Sequence, residues 1–252
     1  MILEKSIIQG VENHKYLVKI AETESEVYEA LKLRYRVFSN ELHRNFDFSD
    51  KLDYDQFDDQ CHHLLVIDKE ADSVIGTYRL QTYDQAVSGN GFVTAKRYAM
   101  ENMPEEILKK AFEVGRVCIH PDHRSGKVLF LLWKGLASYL NHYNLEYLFG
   151  HSALDTDDPA VAMNTYNYLL ENNLVNEELQ VPVYPEYSIN SLNGSEGNRE
   201  IDMPPLFQNY LDVGTRVCSK PAYDSKLNIF YFFILLDIKT IEDRTRKMFF
   251  GS

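Results

Sequence analysis

The stretch GRVCIHPDHRSGK, from Gly115 to Lys127, gathers residues that could support three different chemistries. Cys118, His120 and His123 are metal-ligand types, but no fourth ligand stands at a usual zinc spacing, so no metal site is expected. A thiol nucleophile is equally unsupported, because nothing in the sequence fixes a base beside Cys61, Cys118 or Cys218. The third chemistry is anion binding. The stretch closes a strand-like run and opens an apolar helix, so the amides of Ser125, Gly126, Lys127 and Val128 are candidates for the unsatisfied donors of a helix start. Charge agrees: from 109 to 134, Lys109, Lys110, Arg116, Arg124, Lys127 and Lys134 stand against Glu113 and Asp122, a basic island on a chain of formal charge −12.

The elements that must position these groups can be read from periodicity. Thr23 and Glu26 form a capping box at the start of a helix in which Val27, Leu31, Arg34 and Phe38 share one face. Arg34 therefore lies on an apolar stripe, either snorkelling beside a core or held as a fixed cation, while Arg36 points to solvent. An acidic run from Glu41 to Asp59 follows. HHLLVID and VIGTYRLQT then read as a β-hairpin, with Ile75, Thr77 and Arg79 on one strand face. AFEVGRVCI is a fourth strand, Lys127 to Leu140 a helix whose Gly135 lets it approach the sheet, and EYLFGHSAL a fifth strand. That order is a strand–helix–strand unit with a parallel pair. DDPAVAMNTYNYLLENN and PPLFQNYLDVG are further helices, the latter stopping at Gly214, and NIFYFFILLDI is a last buried strand. Residues 189–202 are polar and glycine-rich and are expected to form a mobile loop in one 252-residue domain.

Bulk properties narrow the function. The 44% hydrophobic and 25% charged composition is that of a folded globular chain, and the acidic balance argues against general nucleic-acid binding. Three dispersed cysteines do not make a disulfide framework and suit a reducing, cytoplasmic compartment. VLFLLW and IFYFFILL fall far short of the roughly 20 residues a membrane span needs, so any membrane contact is expected to be peripheral.

The run EVGRVCIHPDHRSGKVLFLLWKGLASYL resembles the acyl-carrier-binding motif of the GNAT superfamily, in which a strand leads into a short loop and a helix. More narrowly, LRYRVF, QFDDQCHHLLVID, VIGTYRLQT, PEYS and PPLFQNYLDVGTRVC resemble the ornithine-acyl-carrier-protein N-acyltransferases and related N-acyl amino acid synthases. A fainter resemblance to acyl-homoserine lactone synthases runs through Arg34, Phe38, Asp55, Asp58, Arg79, Glu113 and Arg116. Their extra tryptophan has no counterpart, and Gly115 replaces the Ser or Thr of their last motif.

The resemblance implies an α/β (α+β) fold of GNAT type, with a mixed, central twisted sheet, flanking helices and a splayed parallel strand pair. It implies transfer of a long acyl chain, 3-hydroxylated in some relatives, to the α-amine of ornithine or glycine. The donor would be acyl carrier protein or coenzyme A, with no tightly bound cofactor. The thioester would lie along Val117, Cys118 and Ile119, and the phosphopantetheine phosphate at Arg124, Ser125, Gly126, Lys127 and Val128. Glu113 would serve as the base, with Arg116 beside it in the catalytic strand, because the amine must be neutral when it attacks. Arg34, Phe38, Asp55, Asp58 and Arg79 would shape the acceptor pocket. Phe38, Trp133 and the aromatic last strand are the apolar surfaces available to a fatty chain. Two other functions stay open: a lactone or free N-acyl amino acid signal synthase, and a non-catalytic acyl-carrier or acyl-chain binding module.

Overall fold

The first helix begins where Thr23 Oγ1 accepts the Glu26 amide at 3.2 Å. The reciprocal bond goes one residue further out than a regular capping box places it, from the Glu22 amide to the Glu26 carboxylate at 2.7 Å. The first satisfies an amide that the helix start leaves orphaned, and the second ties the residue before the cap to the first turn. The computed structural model describes residues 1–5, 7–8, 11–41, 50–189 and 202–250. Asp47, and the expected loop at 189–202 apart from its two end residues, lie outside them.

In chain order the elements are β1 (Tyr16–Ile20), α1 (Glu24–Glu41), β2 (His62–Asp68), β3 (Ser73–Thr82), α2 (Tyr83–Ser88), α3 (Glu105–Leu108), β4 (Ala111–Ile119) and α4 (Lys127–His142). They continue with β5 (Tyr147–Leu154), α5 (Pro159–Glu171), α6 (Pro205–Val213), β6 (Arg216–Val217), β7 (Ala222–Asp224), β8 (Ile229–Asp237) and α7 (Asp243–Phe250). The result is a mixed α/β fold, and the chain divides into two units. One comprises Met1–Gly91, Val114–Leu145 and the residues from Arg246 on; the other comprises Phe92–Glu113 and Glu146–Thr245. The chain passes between them within β4.

In the first unit β1, β2 and β3 are antiparallel, with Val18 opposite Val66 and Leu65 opposite Thr77. Alternation along β2 decides what meets what. Leu65 joins Val27, Ala30 and Leu31 of α1 in one buried cluster, whereas Leu64 lies against Gly135 of α4. The sheet is thus covered on both faces, and His63 shares the α1 side while His62 shares the α4 side.

Gly135 carries the close approach expected of it. A Cβ there would sit 2.8 Å from Leu64 Cδ1 and 3.0 Å from Val18 Cγ1. Gly135→Val is therefore expected to lower stability by about 1–3 kcal/mol through overpacking, read from the urea midpoint. A change below a few tenths of a kcal/mol would show that the two leucine methyls yield freely.

In the second unit β4 and β5 run parallel, with Ala111 opposite Tyr147 and Glu113 opposite Phe149, where that register ends. β5 stays antiparallel to β8 from Tyr147↔Asp237 to Leu154↔Phe230. β6 and β7 both pair with β8. α6 stops at Gly214, whose φ of 111° only glycine adopts without strain, and Phe207 packs on Phe232 at 5.5 Å.

The sequence reading ends at β8, but the chain goes on into α7. DRTRKMFF is half charged and only Phe249 is buried, which leaves too thin an apolar stripe for periodicity to register. The two- and three-residue strands β6 and β7 are likewise too short to alternate visibly. No helix among the described residues is long and apolar enough to cross a membrane.

Candidate active site

Three arginines and three aspartates from four segments of the first unit form one continuous ion network. Arg34, from the apolar stripe of α1, is fully buried and so does not snorkel. Its Nη1 and Nη2 donate to the two carboxylate oxygens of Asp58 at 2.7 and 3.2 Å, and its Nε donates to Asp53 at 3.2 Å. Arg79 of β3 donates through Nη1 to Asp55 at 2.7 Å and Asp58 at 3.1 Å. Arg116 of β4 closes the circuit, 3.3 Å from Asp55 and 3.6 Å from Asp53. The loop that presents the acids is held by its own bonds. The Asp55 amide donates to Asp58 Oδ2 at 2.8 Å, and the Phe57 amide donates to Asp55 Oδ1 at 2.9 Å.

Burial alone would raise the Asp58 pKa, but the charges of Arg34 and Arg79 outweigh it and hold the carboxyl well below its usual range. Asp55 is lowered against the same burial, chiefly by Arg79. Burial would lower Arg34 and Arg79 in turn, and the aspartates more than offset it, so both arginines stay charged. His63, opposite Arg79 in the hairpin, is pushed down to about 4 by burial and is neutral at pH 7. With three charges of each sign, the network is balanced.

Its exposed edge differs from its interior. Arg34 and Asp58 side chains are 0% and 1% exposed, whereas Arg116 and Asp55 reach 34% and 26%. Arg116 also makes the longest contacts. Its φ of 51° is left-handed, a conformation that L side chains rarely hold. Phe38 lies beneath it, ring centroid 6.0 Å from the guanidinium carbon, and packs beside Leu33, Val37 and Cys118.

A second polar chain belongs to the other unit. Glu113 is buried, and its carboxylate accepts the Val93 amide at 2.9 Å, the Thr94 amide at 2.7 Å and the Thr94 hydroxyl at 2.5 Å. Thr94 Oγ1 lies 3.4 Å from His151 Nδ1 on β5. The His151 ring packs edge-on against Tyr231 of β8 at 4.8 Å. Tyr231 in turn lies under Arg97, which is paired with Asp224.

The loop before α4 is shaped by a 3-10 turn at Pro121–His123, whose start the His120 ring caps by accepting the Asp122 amide at 3.4 Å. Arg124 Nε donates to the Ile119 carbonyl at 3.1 Å. Gly126 sits at the N-cap of α4 with φ 82°, and a Cβ there would meet nothing within 4 Å. Ser125, Gly126 and Lys127, with Tyr16, Phe130 and Leu131, line a cavity of about 350 Å³. Val128 is fully buried instead, at the close crossing of α4 over Gly76 of β3. Val117 and Ile119 are half-buried, and Cys118 belongs to the core.

Several expected groups take other positions. Arg116 is committed to the aspartates, so it does not extend the basic island. Trp133 packs on Phe249 of α7 at 5.6 Å, and Phe230, Phe232 and Phe233 of β8 are core. A larger cavity, about 660 Å³, opens in the second unit beside Met163, Tyr166, Val181, Pro182, Val183 and Ile189. Asp53, Thr94 and His151 were not singled out from the sequence. Asp53 carried a readable signal, two residues before Asp55 on the same loop, and so did His151, an imidazole inside an otherwise apolar strand.

Residues 33–134 match the family model described as the acetyltransferase (GNAT) domain. With the mixed sheet and the strand–loop–helix at Ala111–His142, this makes the chain an acyltransferase with a GNAT-type fold. It is 29% identical to the L-ornithine N(alpha)-acyltransferase of Brucella abortus, over 90% of this chain and 86% of that one. It is 28% identical to the L-ornithine N(alpha)-acyltransferase of Rhodobacter capsulatus, over 93% and 94%. Among solved structures, a CoA-dependent acyl-homoserine lactone synthase superposes with a TM-score of 0.52 at 15% identity, covering 88% of this chain and 79% of that one. That last likeness is one of fold.

Proposed function

We propose that the chain transfers a long fatty acyl group from the phosphopantetheine thioester of an acyl carrier protein to the α-amine of ornithine. The observation that carries this reading is the exposed rim of the balanced ion network. Arg116 and Asp55 present opposite charges side by side, at contacts of 3.3 Å that are longer than the 2.7 Å bonds of the interior. An amino-acid zwitterion can exchange for that outer contact without uncovering a buried charge. Its carboxylate takes Arg116 and an ammonium group takes Asp55, while Arg34, Arg79, Asp53 and Asp58 hold the pair in place. The relatives named for ornithine direct the choice of acceptor.

The thioester arm has a separate seat. The start of α4 offers backbone donors and the positive end of the helix dipole to a phosphate, and the unobstructed Cα of Gly126 allows close approach. One phosphate of a carrier protein needs fewer glycines than the pyrophosphate of free coenzyme A. Three buried cysteines without a disulfide framework suit a reducing compartment, the cytoplasm, with the acylated product leaving to the membrane face.

The test is direct. Purified protein with hexadecanoyl-carrier protein and ornithine is expected to yield N-acylornithine by mass spectrometry, with glycine a weaker competitor and acyl-coenzyme A a weaker donor. Absence of any acylated amino acid would sink the reading. Arg116→Gln is expected to raise the KM for ornithine about tenfold to a hundredfold while changing kcat less, because it removes a charged hydrogen bond to the acceptor. An unchanged KM would remove Arg116 from acceptor binding.

A further inference from the structure

The 16 residues of α4, KVLFLLWKGLASYLNH, include no aspartate or glutamate, on a chain that holds 38 of them. Lys127, Phe130 and Lys134 follow one another at steps of three and four, so they share one side of the helix. Val128 and Leu132 point the other way, onto Gly76 of β3. Phe130 is 39% exposed, and Lys134 Nζ lies 6.0 Å from the centre of its ring. The last turn of α7 extends this side. Phe249 is buried there, its ring 5.7 Å from that of Phe130 and 5.6 Å from that of Trp133. That anchor brings the exposed Lys247 and Met248 beside α4, with Met248 at 43% exposure. From Arg246 to Phe250 the chain again carries no carboxylate, and all of these residues belong to the first unit.

A single exposed apolar side chain is ordinary. Here two of them flank one buried ring and are interleaved with lysines, which is the composition of a surface that enters the headgroup layer of an anionic bilayer. Apolar tips enter the interface, and ammonium groups on long stems reach the lipid phosphates. The formal charge of −12 adds an orienting effect, because an anionic membrane repels the rest of the molecule and attracts this side.

We propose that the Lys127–Phe130–Lys134 side of α4, with Lys247 and Met248 of α7, docks the protein on an anionic phospholipid bilayer; this rests on the amine-acylation reading above, whose product is an amphiphile. Lysines alone would suit an acidic protein equally, and the apolar side chains between them favour the bilayer. Lys127 and Phe130 also line the 350 Å³ cavity at the start of α4, so docking sets the proposed phosphate seat at the edge of the membrane.

The test sediments the full chain with sucrose-loaded vesicles of mixed phosphatidylglycerol and phosphatidylcholine, against vesicles of phosphatidylcholine alone. Binding to the anionic vesicles is expected to be at least about tenfold tighter at low ionic strength, and to be largely lost at about 1 M salt, where the Debye length is about 3 Å. The chain's single tryptophan, Trp133, lies beneath this side, so lipids brominated high in the acyl chain should quench its fluorescence. Lys134→Gln with Lys247→Gln should weaken binding about 25-fold, roughly fivefold for each lysine. Phe130→Ser with Met248→Ser should weaken it about tenfold and leave its salt dependence unchanged. Circular dichroism confirms that both double variants fold. No sedimentation with anionic vesicles, binding without quenching of Trp133, or undiminished binding by both folded variants overturns the proposal. So does a shift of Trp133 emission by unacylated carrier protein where vesicles cause none, which assigns this side to the carrier. Neither readout needs turnover. A chain that binds vesicles and acylates nothing loses the proposed function and keeps the surface, and one that acylates ornithine and binds no vesicles does the reverse.

Discussion

Asp58→Asn is expected to lower the free energy of unfolding by about 3–5 kcal/mol, a large part of the roughly 5–15 kcal/mol that holds a domain together. The substitution keeps the side chain's size and one acceptor oxygen, so what it removes is charge. Asp58 is the carboxylate shared by Arg34 and Arg79, and its side chain is 1% exposed. Without it, three guanidinium groups face two carboxylates, and the fully buried Arg34 keeps only Asp53 among the carboxylates it bonds here. An uncompensated buried charge costs far more than the net worth of the pair it came from. Asp58→Asn combined with Arg34→Met restores the balance and should therefore be more stable than Asp58→Asn alone. A loss below about 1 kcal/mol in the urea midpoint, or no rescue by the double variant, would mean that water reaches the network.

The second large effect is acid lability. His62 and His63, adjacent in β2 but on opposite faces of the sheet, are both pushed down to about 4 by burial. In the unfolded chain each titrates near 6.5. Between those values the unfolded state binds protons that the folded state refuses, so stability rises with pH across the window and falls as pH drops from about 6.5 towards 4. Each histidine accounts for roughly 3 kcal/mol over that interval, and the two together rival the stability of a typical domain. Asp58 acts with the same sign at lower pH. Its folded pKa is depressed, so the stability it contributes is present above about 3.9 and is lost as pH falls further. Melting temperature against pH should bend downward near pH 6.5, and His62→Phe should roughly halve the slope below the bend. A melting temperature flat from pH 7 to 5 would show that the histidines are solvated.

Local chemistry was the part most open to reading from sequence. The stripe Val27, Leu31, Arg34 and Phe38, the Thr23–Glu26 cap, Gly135 and the stop at Gly214 each rest on interactions within a turn or on a residue's intrinsic conformational freedom. The four arginines and aspartates of the interior circuit were less accessible. Arg34 was recognisable as an unusual cation, but which acid it meets depends on a partner 24 residues away, and the same acid is shared with Arg79. Periodicity specifies the face a residue occupies and carries no information about its opposite number. Glu113 shows the limit most clearly. Its position in β4 was readable, yet the amides and the hydroxyl that occupy its carboxylate come from a 3-10 turn at Thr94–Lys96 with no apolar pattern of its own. His151 is visible in the sequence as a lone imidazole in β5, but its contact with Thr94 comes from a separate segment that the strand pattern does not specify.

The left-handed backbone at Arg116 carries a cost of about 1–3 kcal/mol, while the half-exposed ion pairs it makes return about 0–1 kcal/mol. Gly115, next to it, could take that conformation freely and does not. If Arg116 receives the acceptor as proposed, thermostability and turnover pull in opposite directions at this position. Selection for resistance to heat alone would replace the arginine with asparagine, which tolerates the conformation, and would discard the proposed acceptor-binding cation.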